Sequence, residues 1–242
     1  LLAVHFANRP ASDRRTFGYA RAEILAALAN CLLLLGVGGY VLYEAIERFL
    51  TPAGTQGGLT VVFGAIGLVA NMVSLSLLMR GQKDSLNARG AFLEVAADAL
   101  GSLAVIVSAL VILATGWQPA DPIASLLIGL MIVPRTLRLL RETLDVLLEA
   151  APKGVDIGEV RAHILALDGV EDVHDLHAWT ITSGLPVLSA HVVVSGETLS
   201  AIGHEKMLHE LQGCLGDHFD VEHCTFQLEP GGHAEHEARL CH

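Results

Sequence analysis

Apolar residues gather in four long blocks over the first 140 positions, roughly Ile24–Ile46, Leu59–Met79, Gly90–Thr115 and Pro122–Leu140. Each approaches the ~20 residues with which an α-helix, rising ~1.5 Å per residue, crosses a ~30 Å hydrocarbon layer. A single block of this kind also suits the buried helix of a soluble bundle. Four in succession, with polar links of roughly ten residues, read instead as membrane spans. Ahead of them, LLAVHFANRP reads as the last two turns of a further helix, so the chain is expected to be a fragment of a longer protein.

From about Pro152 the pattern changes to that of a small water-facing domain. VDIGEVRAHILALDG spaces its apolar residues as a helix does and ends in Asp-Gly, a helix stop. VEDVHDLHAWTIT and PVLSAHVVV read as strands joined by the turn SGLP. AIGHEKMLHELQGCLG is helical again, and FDVEHCTFQLE alternates as a strand. The order αββαβ predicts an open α+β sandwich, two helices covering one face of a three-stranded sheet. Three segments result: residues 1–151 in the membrane, 152–230 as a cytoplasmic domain, and 231–242, GGHAEHEARLCH, as a disordered tail.

Composition supports the membrane reading. Of 242 residues 52% are hydrophobic and 17% charged, below the quarter usual in soluble domains, and mean hydropathy is +0.51. The net charge of −11 carries no basic excess for nucleic acid. Basic residues orient the spans. Arg9, Arg14, Arg15 and Arg21 precede the first full span, Arg80, Lys83 and Arg89 lie in the third link, and Arg135, Arg138 and Arg141 end the last span. The intervening links hold only Arg48. This alternation puts the C-terminal region in the cytoplasm of a multi-pass protein of the cell's inner membrane. Cys31, Cys214, Cys224 and Cys241 form no CxxC pair and no disulfide framework. GxSxG, Walker and HExxH motifs are absent, so no hydrolytic enzyme and no ATP drive is indicated.

The block AFLEVAADALGSLAVIVSALVILATGW contains Glu94 and Asp98. Four residues apart, they share a helix face. Counted from Arg89, Asp98 lies ~13 Å deep, where an acid costs at least ~2.5–3.5 kcal/mol. Two neighbouring carboxylates at low dielectric resist joint ionisation, so one holds a proton until a cation arrives. That is the chemistry of a proton-coupled cation site. A structural hydrogen bond between helices or a water-filled vestibule are the competing readings. Asn30, Asn71, Ser74 and Ser102 are polar groups able to face the same interior or to join helices.

AFLEVAADALGS resembles the fifth span of the cation diffusion facilitator transporters, where a metal-binding His or Asp precedes an Asp by four residues. RRTFGYARAEILAALAN, ADPIASLLIG, HDLHAWTI, LSAHVVV and HCTFQLE are similar to further segments of that family, in order from residue 1 to about Glu229. The short, His-free link RGQKDSLNARG is closest to its bacterial zinc-exporting branch. The resemblance implies a dimeric six-span zinc/proton antiporter, here four full spans and the end of one, with cytoplasmic termini and a ferredoxin-like metallochaperone-like domain. It implies Glu94 and Asp98 as half of a tetrahedral membrane site whose other two ligands belong to the second span. Where the zinc branch carries His this chain has Glu94, which leaves manganese, cobalt or iron open beside zinc. Arg15 and Tyr19 stand where some relatives have metal-binding His, and Arg21 and Glu149 match a cytoplasmic-face dimer contact.

Eleven of the twelve histidines follow Pro152. Imidazoles and carboxylates on adjacent strands converge within zinc bonding distance, ~2.0–2.2 Å per ligand. By resemblance His174, His191 and His223 match the family's cytoplasmic ligands, with His177, His204 and Glu229 in second rank. His163, His209, His218, His233 and His236 read as solvated surface. The function expected is export of a divalent transition metal, zinc foremost, in exchange for protons, by a homodimer in the lipid bilayer with the metal as substrate and regulator and no organic cofactor. A membrane-tethered metal sensor or buffer, or a cation channel, are the alternatives.

Overall fold

The computed structural model describes residues 10–51, 57–79, 86–219, 221 and 223–233. The tail beyond His233, the start of the chain and all of RGQKDS lie outside them, as do the side chains of residues 57, 86–91, 217 and 218. Four long helices form: α1 (Ala22–Leu50), α2 (Gly57–Leu78), α3 (Leu86–Thr115) and α4 (Ala120–Leu147). All four are long and apolar enough to cross a membrane. The chain divides into two compact units, one of Cys31–Arg138 and one made of the residues on either side of it.

In the first unit the helices touch through small residues. A Cβ on Gly67 would meet Ser102 Oγ at 3.2 Å, and one on Gly38 would meet Val133 at 3.1 Å. Such close approach is how helices associate where lipid removes the hydrophobic drive. Asn71 donates from Nδ2 to Ser102 Oγ at 3.3 Å, and Ser102 donates to the Asp98 carbonyl at 3.1 Å. Other hydroxyls bond their own helix: Ser108 donates to the Val105 carbonyl at 2.8 Å and Thr136 to that of Ile132 at 2.9 Å. Each thereby avoids an unsatisfied polar group in hydrocarbon. The large side chains left exposed, among them Leu33, Phe63 and Leu113, are those a bilayer would cover. At the non-cytoplasmic end Arg48 binds Glu44 and, at 2.8 Å, the buried Asp121.

The second unit carries α5 (Ile157–Leu165), β1 (Val170–Thr180), β2 (Pro186–Val194), α6 (Gly196–Phe219) and β3 (His223–Glu229). This is the αββαβ order that the sequence predicts. Asp156 caps α5, its Oδ1 accepting from the Gly158 and Glu159 amides at 2.7 and 3.2 Å. Gly169 then turns the chain into β1 with φ +84, and a Cβ there would run into Thr198. Sheet order is β1-β2-β3, with β1 antiparallel and β3 parallel to β2. Val173, Leu176 and Ala178 of β1 and Leu188, Ala190, Val192 and Val194 of β2 point to one face. There they pack with Val160 and Ile164 of α5 and Met207, Leu211 and Leu215 of α6, each series spaced by one helical turn.

β1 departs from strict alternation. Its register against β2 shifts between His174 and His177, where Asp175 takes φ +45. The extra residue keeps Val173 and Leu176, three apart, both in the core. It also leaves His174 on the face away from the helices.

Candidate metal centres

The outer face of the sheet collects the polar positions. His174 lies opposite His191, and on the parallel side Val193 lies opposite Glu229. Glu229 Oε2 is 3.1 Å from His174 Nε2, and Oε1 is 2.8 Å from His191 Nδ1. The imidazole centroids are 5.1 Å apart. Gln227, two residues back on the same face, donates from Nε2 to Glu229 Oε1 at 2.8 Å. Glu229 is only 1% exposed, yet three polar groups satisfy its carboxylate. One ligand atom from each of His174, His191 and Glu229 falls within 4.8 Å of the others. Two imidazoles and a carboxylate make a borderline donor set that suits zinc with a fourth position left open.

The other expected ligands stand apart from this cluster. His223 is opposite Val187, at the far end of β3, and six residues at ~3.3 Å each separate it from Glu229 by ~20 Å. Its ring meets Phe17 edge-on, with centroids 5.9 Å apart. His177, past the bulge, is opposite Ser189. His204 is exposed on α6, directly after Gly203, whose φ of +80 interrupts the helix. Alternation along β3 puts 223, 225, 227 and 229 on one face, but only the pairing register says which of them meets β1.

In α3, Glu94 and Asp98 occupy successive turns of one face, and both side chains are exposed. Glu94 forms an ion pair with Arg135 of α4. The sequence reading missed this counterion, since Arg135 counted there only as a basic residue closing the last span. A guanidinium beside Glu94 lowers the cost of an ionised carboxylate in a lipid-spanning helix.

Arg21 and Glu149 pair within the chain, Nη2 to Oε1 at 2.8 Å. Arg15 lies over the Tyr19 ring, 4.2 Å from its centroid. Cys224 takes no part in the metal cluster. Its Sγ donates to the Val221 carbonyl at 3.1 Å, and burial pushes the thiol up from 9.0 to about 11.

The geometry meets known proteins at this point. Residues 1–148 match the cation efflux transmembrane domain, and residues 152–231 the cytoplasmic domain of cation efflux proteins. The metal cation efflux system protein CzcD of Cupriavidus metallidurans is 46% identical over 95% of this chain and 72% of its own length. The zinc transporter ZitB of Escherichia coli is 40% identical over the same shares. The cadmium, cobalt and zinc/H(+)-K(+) antiporter of Bacillus subtilis is 38% identical over the whole chain and 78% of its own length. A solved metal-bound C-terminal domain of the C. metallidurans CzcD transporter is 45% identical, covers 31% of this chain and 99% of its own, and has a TM-score of 0.28. With four apolar spans, a C-terminal domain on the cytoplasmic side and both halves of the chain matched, this protein belongs to the cation efflux family.

Proposed function

We propose that the protein is a secondary transporter that moves a divalent transition metal, zinc foremost, out of the cytoplasm in exchange for protons. The observation that carries this reading is the acid pair Glu94 and Asp98 on one face of a lipid-spanning helix. A mere anchor gains nothing from such residues and bears their cost. Similarity to a zinc transporter and to a cadmium, cobalt and zinc/H(+)-K(+) antiporter supports the substrate class and the coupling.

In this reading the metal enters as substrate between Glu94 and Asp98. It draws Glu94 away from Arg135 and displaces a proton held on Asp98, and protonation from the other side releases it. Two carboxylates make a hard half-site, so manganese, cobalt or iron compete with zinc more than at a His-rich site. His174, His191 and Glu229 hold a second metal that regulates. Loading replaces the imidazole–carboxylate hydrogen bonds by coordination, while Gln227 keeps one Glu229 oxygen oriented. Residues 1–151 form the membrane part, 152–230 the cytoplasmic part through which two copies associate, and 231–242 a tail outside both.

Proteoliposomes loaded with a zinc-sensitive dye test the reading. Zinc flux is expected to follow an imposed pH gradient, and Asp98→Asn is expected to lose at least about a hundredfold in rate, as for removal of a general acid–base group. Wild-type flux in Asp98→Asn would refute the membrane site. Flux indifferent to the pH gradient would indicate a channel.

A further inference from the structure

Residues 14–25 and the β1–β2 hairpin enclose a cleft of about 1010 Å³, at the upper end of the range for small-molecule sites. It lies away from the His174–His191–Glu229 cluster, which contributes none of its lining. Three guanidinium groups, Arg14, Arg15 and Arg21, face a single carboxylate, Glu149. Glu23, the next acid along, is engaged by Thr182, whose Oγ1 donates to it at 2.7 Å. Among the residues that line the cleft, three positive charges thus stand against one negative, with Asp13 and Glu23 next to them in sequence.

The segment that carries these arginines is braced. Ser12 and Arg15 exchange backbone hydrogen bonds of 3.0 and 2.8 Å. The Arg15 head is stacked on Tyr19, and Arg21 is tied to Glu149, a residue held at φ +59 just past the end of α4. Such pre-set forks match phosphate oxygens. The wall is also apolar: Leu25, in the first turn of α1, is 55% exposed and Phe17 47%. A soluble phosphate would leave both uncovered, whereas an acyl chain running alongside α1 would cover them.

We propose that this cleft binds the phosphate headgroup of an anionic phospholipid of the cytoplasmic leaflet. The arginines take the phosphate, and Phe17 and Leu25 take the upper acyl chain. The inner leaflet supplies the ligand, and each arginine near such a surface strengthens binding by roughly fivefold. The site depends only on the C-terminal domain being cytoplasmic, so the transport reading can fail without it.

Trp179 lines the cleft, and the chain has only one other tryptophan, Trp117. In a Trp117→Phe background, the full chain in phosphatidylcholine nanodiscs is titrated with phosphatidylglycerol brominated on its acyl chains. Saturable quenching of Trp179 is expected, with no saturation by brominated phosphatidylcholine. The midpoint should rise about fivefold in Arg14→Gln and again in Arg14→Gln/Arg15→Gln, and recover in the Lys/Lys variant, which also controls for folding. Equal quenching by the two lipids, or an unmoved midpoint in the Gln/Gln variant, would overturn the proposal. Reversal of quenching by millimolar glycerol 3-phosphate would overturn it too, assigning the cleft to soluble phosphate esters.

Discussion

Replacing Glu229 by Gln tests the cytoplasmic site most directly. The side chain is nearly isosteric and only 1% exposed, so the change removes charge and one ligand without opening a cavity. In the metal-free domain it weakens the hydrogen bonds to His174 at 3.1 Å and His191 at 2.8 Å. Bonds to a charged group contribute about 1.5–3 kcal/mol each. Release from burying a carboxylate offsets much of that, leaving a net loss of roughly 0–2 kcal/mol. The domain should stay folded, because its core of Val160, Ile164, Val192, Met207 and Leu211 lies on the other face of the sheet.

Metal binding responds differently. A four-ligand structural zinc site is worth roughly 10–16 kcal/mol, so each ligand carries about 2.5–4 kcal/mol. At about 1.4 kcal/mol per decade, losing Glu229 should weaken zinc binding by about 10²–10³-fold. Isothermal titration of residues 152–231 at pH 7 measures this. His191→Ala should fall in the same range, while His204→Ala and His223→Ala should stay within about threefold of the parent. An unweakened Glu229→Gln, or an equal loss in His223→Ala, would refute the assignment of ligands made from the strand register.

Three further outcomes are expected. Arg135→Gln frees Glu94 from a half-exposed ion pair worth up to about 1 kcal/mol, so zinc should bind the transport site up to about fivefold tighter, read as a lower half-saturation for zinc in the flux assay; weaker binding would mean that Arg135 instead holds Glu94 in the binding geometry. Cys224, raised from 9.0 to about 11, keeps its proton as pH climbs through 8, so in a variant with Cys224 as the sole cysteine its alkylation rate should be about a hundredfold below that of a free thiol and should go on rising with pH up to about 11, where a free thiol has already levelled off. Gly169→Ala sets a side chain against Thr198 at φ +84 and should lower the stability of the cytoplasmic domain by roughly 1–3 kcal/mol in urea titration.

Much of this protein is written locally. An apolar run of ~20 residues must satisfy its own backbone in lipid, so it is a helix whatever its neighbours do. Alternation in PVLSAHVVV and HCTFQLE sets their inward and outward faces, because side chains in a strand repeat every second residue. The i, i+4 placement of Glu94 and Asp98 needs no tertiary information. What the chain could not declare by itself is which of these faces meet. Helix packing sets Arg135 beside Glu94, and no sequence period links positions 41 residues apart. The bulge at Asp175 and the parallel pairing of β2 with β3 are choices of register. Alternation gives His223 and Glu229 the same face, so the pattern cannot rank them. The register sets Glu229 beside His174 and His191 and leaves His223 opposite Val187, at the other end of the strand.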